Sequence, residues 1–127
     1  MINLPHPVRV FLHTPPTDLR KGFDALCGLV STAFGQDPTS GHLFLFVNRR
    51  RDRIKILYWD RDGLAIWYKR LESGSFQIPT PATEAVSIEM TATQLSLILA
   101  GIDLRSARHR KRYQRPTPAA ENRPFPS

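Results

Sequence analysis

A chain of 127 residues, 41% of them hydrophobic, holds one domain with a core of its own, which excludes a fully disordered basic protein. It has no run of about 18 apolar residues, no basic-then-apolar leader in MINLPHPVRV, and a single cysteine, Cys27. A spanning helix, a secretory signal and an internal disulfide framework are therefore not expected, and a reducing cytoplasm is. The net charge of +7 is gathered at one end. Residues 1–103 carry 11 Lys and Arg against 10 Asp and Glu, whereas residues 104–127 carry 7 against 1. Such asymmetry reads as a basic arm for a polyanion, nucleic acid foremost, or as a plain solvated tail.

Taken in chain order, VRVFL (8–12) reads as a short strand. TPPTDLRKGFDALCGLVSTAFG then predicts a helix over 17–34. Thr17 or Asp18 can cap it, Pro15 and Pro16 keep the preceding chain extended, and Gly35 supplies the stop. Leu19, Phe23, Leu26, Val30 and Ala33 form one apolar stripe. HLFLFV (42–47), IKILYW (54–59) and LAIWYKR (64–70) are strand candidates, linked by NRRRDR and by DRDG, an Asp-Gly turn signal. ESGS (72–75) turns the chain into FQIP, and VSIEM (86–90) is a last strand. Thr91 and Gln94 have capping-box spacing for a short helix over 91–101 that Gly101 ends. The text after Asp103 is basic and then proline-rich, and is expected to be disordered in isolation.

Catalytic chemistry finds little support. His6, His13, His42 and His109 lack zinc-ligand spacing. Asp60 and Asp62 form a D-x-D that could hold magnesium in a nuclease, but D-x-D-G between two strands is far more often a hairpin turn. Cys27 sits near the apolar stripe, where a small buried thiol is the default. No phosphate loop, nucleophile elbow or dinucleotide fingerprint occurs, and no metal or cofactor is implied.

Basic clusters remain. They are Arg20 and Lys21; Arg49, Arg50, Arg51, Arg53 and Lys55; Lys69 and Arg70; and the tail from Arg105 to Arg115, with Arg108, Arg110, Lys111 and Arg112. Arginine forks suit phosphate oxygens, and Lys55 and Lys69 lie beside aromatic strand residues. No helix-turn-helix, finger or RNA-recognition signature supports base-specific reading. The same arginines can instead shield an apolar, edge-prone sheet from pairing with other chains. Trp59, Trp67 and Tyr68 are candidates for a partner surface.

Five phrases occur together in order: PTDLRKGFDAL (16–26), DPTSGHLFLF (37–46), RRRDRIKILYWDRDG (49–63), KRLESGSF (69–76) and QLSLILAGID (94–103). Together they resemble the small accessory protein of insertion-sequence-66-type transposable elements. That protein is the second open reading frame's product, called TnpB there, and is unrelated to the RNA-guided nuclease sharing the label. The resemblance spans about residues 4–103. Departures are Ile78, where the family usually has tryptophan before the proline, and MTATQ in place of a Leu-Thr/Ser-Pro-x-Gln start. The resemblance implies a bacterial mobile-element protein that works with a separate transposase carrying the acidic catalytic site. It brings no catalytic residues with it.

The expected architecture is α+β: an antiparallel meander of about five strands packed on the 17–34 helix, with a short helix at 91–101. Residues 1–103 form the domain and 104–127 a flexible tail. The expected function is that of a non-enzymatic accessory factor in DNA transposition, contacting DNA through loop 49–55 and the tail. The alternative is a protein adaptor that holds the transposase through its sheet.

Overall fold

Leu43 to Val47 is an unbroken apolar run, and such a run is stable as a strand when both of its faces are covered. In the computed structural model, which describes residues 7–81 and 83–101, it is the central strand of a five-stranded sheet. The elements are β1 (Val10–His13), α1 (Phe23–Ala33), β2 (Leu43–Val47), β3 (Arg53–Asp60), β4 (Gly63–Arg70), β5 (Ser87–Met90) and α2 (Ala92–Ala100). The sheet order is β4-β3-β2-β1-β5, and the class is α+β as expected.

The expected antiparallel meander is corrected. The sheet is mixed, because β1 and β2 pair in parallel, with Phe11 opposite Phe44. The β2–β3, β3–β4 and β1–β5 ladders are antiparallel. The cause is the long crossover that joins β1 to β2. It contains α1 and lies over one sheet face, returning the chain to the end where β1 began.

Alternation along the strands sorts the core into two layers. Phe11, Phe44, Phe46 and Leu57 face α1 and pack with its Leu26 and Val30. Val10, Leu12, Leu45, Val47, Ile54 and Ile56 face the other way and pack with Met90, with Leu95 and Ile98 of the α2 helix, and with Phe76. The second face is thus covered by α2 and by the irregular stretch around Leu71, Phe76 and Ile78.

The helix ends show which local signals prevailed. At α2 the capping box forms: Thr91 Oγ1 accepts from the Gln94 amide at 3.0 Å, and the Gln94 side chain accepts from the Thr91 amide at 2.8 Å. Gly101 closes it with φ 83°, a left-handed conformation that glycine adopts without steric cost. At α1 the expected start at residue 17 is wrong by two turns. Thr17 and Asp18 have other partners, Gly22 is the N-cap, and no side chain caps the helix. Leu19 still enters the core ahead of the helix, whereas Phe23 of the expected stripe is exposed. The DRDG turn also differs, since Arg61 takes the positive φ, 57°, and Gly63 opens β4.

Candidate nucleic-acid interface

The C-terminal ends of β1, β2 and β4 and the start of β3 lie at one end of the sheet, as their pairing directions require. The chain leaving β1 crosses this end on its way to α1. The Thr17 amide donates to the Val47 carbonyl at 2.8 Å, fixing the crossing point. Thr17 itself is buried, with its hydroxyl 3.0 Å from His13 Nδ1. Burial lowers the His13 pKa and so favours the neutral ring, which lies between Phe34 and Phe46. Farther on, Lys55 Nζ donates to the Lys21 carbonyl at 3.0 Å, anchoring residues 17–21 over the β3–β4 face. Arg20 is thereby carried to the arginine turn.

That turn, Asn48 to Asp52, is held from within and from behind. The Asn48 side-chain oxygen accepts from the Asp52 and Arg53 amides at 3.1 Å each, and its nitrogen donates to Asp52 Oδ1 at 2.7 Å. From behind, the Leu71 amide donates to the Asp52 carbonyl at 2.7 Å and the Phe76 amide to the Arg51 carbonyl at 2.6 Å. The backbone is thus spent on internal hydrogen bonds, while the arginine side chains stay exposed. Asp52, the acid inside the turn, is engaged by Asn48. Among the described residues the ion pairs are Arg9–Glu89, Arg20–Asp18 and Arg70–Glu72, so none engages Arg49, Arg50, Arg51 or Arg53.

A cleft of about 590 Å³ opens between the crossing segment and the turn, lined by Arg20, Arg49, Arg50, Arg53, Asp18 and Tyr68 among others. Four arginines face one acid there. Hydrogen bonds from Arg20 hold the Asp18 carboxyl well below the usual carboxylate range, so that single acid stays ionised. The remaining positive charge belongs to the turn. A second cleft, lined by Arg9, Glu89 and Gln94, has its arginine paired with its glutamate at 2.6 Å and carries no such excess.

The structure brings together part of the basic set. Arg20, Arg49, Arg50 and Arg53 line the cleft, with Lys55 and Lys21 at its border. Arg51 belongs to the turn, with a φ of 60°, but does not line the cleft. Arg70 stands opposite Arg53 on the same face and is tied to Glu72 at 2.9 Å. Lys69, opposite Ile54, points to the other face. Arg108, Arg110, Lys111 and Arg112 lie outside the described residues. The three aromatics do not form one patch. Tyr68 lines the cleft, Trp59 shares its face but pairs with Leu64 near the far turn, and Trp67 lies on the opposite face beside Ile56. Sequence reading passed over Asn48 and the Thr17–Asp18 wall. An Asn and an Asp four apart, bracketing a loop between strands, were the available signal for the clasp.

Elsewhere the chemistry is sparse. Among the described residues no group of three His, Cys, Asp or Glu side chains could hold a metal ion. Asp60 and Asp62 flank the hairpin turn at the opposite end of the β3–β4 ladder from the cleft. Burial, with Asp24 nearby, pushes the Cys27 thiol up and away from the thiolate form a nucleophile needs.

A small mixed-sheet α+β domain with an open basic cleft is the class these features define. The family described as "IS66 Orf2 like protein" matches residues 8–109, and the chain belongs to that family of insertion-sequence proteins. It is 37% identical over 120 residues to the uncharacterized protein y4jC of Sinorhizobium fredii (strain NBRC 101917 / NGR234), covering 94% of this chain and 100% of that one. It is 36% identical over 110 residues to the uncharacterized protein y4hO of the same strain, covering 87% and 91%. No solved structure matches. The family match runs past residue 103, and the y4jC alignment leaves too few residues unmatched for the tail to fall outside it. At least part of the tail is therefore shared with that relative.

Proposed function

We propose that this protein is a non-enzymatic accessory factor in DNA transposition of a bacterial insertion sequence. It contacts DNA, alone or within the nucleoprotein complex, through the arginine-lined cleft and the basic tail. One observation carries the reading: Arg20 and the Arg49–Arg53 turn, far apart in sequence, converge on one cleft where the turn's arginines lack ion-pair partners among the described residues. Unpaired guanidinium groups on a rigid backbone are suited to phosphate oxygens, and they give affinity without base specificity. A transposase of the same element, carrying the acidic catalytic site, is the partner this role requires, and it places the protein in the cytoplasm at the nucleoid.

Exposure of Trp67 on the edge strand β4 favours a second role, as an adaptor that holds the transposase along that edge. Affinity purification of the tagged full chain with and without nuclease separates the two. The DNA reading predicts that the transposase is lost on nuclease treatment and that purified protein shifts element-end DNA at low salt. A transposase that stays bound after nuclease and is released by Trp67→Ala, with no shift of DNA, would establish the adaptor instead.

A further inference from the structure

Tyr68 is placed in the cleft in a way that phosphate binding does not use. It lies on β4, one of the two edge strands, and is 48% exposed. Across the ladder, Lys55 holds its ammonium 5.0 Å from the centre of the ring, and Lys55 is itself anchored on the Lys21 carbonyl. Arg53 approaches the phenol oxygen at 3.5 Å. The ring is thus steadied from the β3 side. Among the described residues no other aromatic ring stacks on it, and no strand flanks its outer side. An aromatic face presented beside guanidinium groups is a stacking platform, and every nucleobase offers a face to it.

The geometry points to a single-stranded DNA segment as the ligand, with one base stacked on Tyr68 and the adjoining phosphates held by Arg49 and Arg50. This rests on the cleft being the DNA contact. A base inside a duplex has both faces covered by its neighbours and cannot lie on Tyr68, whereas an unpaired base can. The cleft, about 590 Å³, is within the range of about 300–1,000 Å³ that suits one small ligand. The arginines without ion-pair partners among the described residues stand on the turn wall, where the phosphates beside a stacked nucleotide would pass.

The test is fluorescence anisotropy of the full chain with a labelled oligothymidylate and with a mixed-sequence duplex of equal length, at matched salt. The wild type is expected to favour the single strand. Tyr68→Leu, which keeps a bulky side chain on the strand, is expected to weaken single-strand binding by roughly 5- to 150-fold while leaving duplex binding nearly unchanged. Tyr68→Trp is expected to restore the preference. Equal affinities of the wild type for both DNAs, or equal weakening of both by Tyr68→Leu, would overturn the inference and leave the cleft as a phosphate site. If Arg49→Ala with Arg50→Ala changes neither affinity, the cleft reading itself fails. Circular dichroism of each variant confirms that the fold is retained before the affinities are compared.

Discussion

Asn48 shows how one side chain can set the shape of a charged turn. Its three hydrogen bonds replace the contacts that a strand would have made, and they keep Arg49 and Arg50 on the cleft side. Asn48→Ala leaves the Asp52 and Arg53 amides without that acceptor. A loss of about 1–3 kcal/mol in urea unfolding is expected, with DNA affinity falling further than the arginine count alone would predict. His13 makes a prediction at the same scale. Burial depresses its folded pKa, so the unfolded chain takes up a proton more readily. Stability is then complete above the unfolded value of about 6.5 and is lost as pH falls through it toward the folded value. Asp18, Asp37 and Glu89, all held low by hydrogen bonds, add their own loss only in the carboxylate range below about pH 4.5. Melting temperatures between about pH 7.5 and 5 should therefore decline in the wild type and decline less in His13→Gln. An identical decline in both would remove His13 from the explanation.

At the scale of elements, α1 is stabilised by packing and α2 also by its cap. Gly22 caps α1 without a side-chain bond, and the helix depends on Leu26 and Val30, both fully buried against Phe44 and Leu57. Leu26→Ala is expected to cost about 2–5 kcal/mol, and Thr91→Ala at the α2 cap about 0.5–2 kcal/mol, by denaturant titration. The same contrast explains what the sequence made legible. The α2 cap joins residues three apart, so its spacing alone predicted it. The start of α1 could not be predicted that way, because Thr17 and Asp18 are drawn off by His13, Val47 and Arg20, and Val47 is distant in sequence. Runs of branched and aromatic residues identified the strands, yet whether β2 runs with β1 or against it depends on where α1 returns the chain. The arginines were equally plain in the sequence. The cleft was not, since long-range contacts such as the Thr17–Val47 and Lys55–Lys21 hydrogen bonds bring Arg20 to them.

Across the whole molecule, charge is polarised along the β3–β4 ladder. Arg53 and Arg70 face each other at one end, and Asp60 and Asp62 occupy the other, about 23 Å away for eight-residue strands. A polyanion would therefore approach from the cleft end, which is also where Tyr68 is open. Residues 1–103 are near electrical balance, so most of the net charge that would act on a polyanion lies in residues 104–127. In the proposed contact the polyanion is DNA, a reading that membership in an insertion-sequence family supports. The most direct test is the salt dependence of binding to element-end DNA. If about five phosphates are neutralised, log K against log salt should fall with a slope of roughly −4 to −5, and Arg49→Ala with Arg50→Ala should make it shallower by about 2. A double variant with the slope and affinity of the wild type would contradict the account, because the cleft would then take no part in the contact.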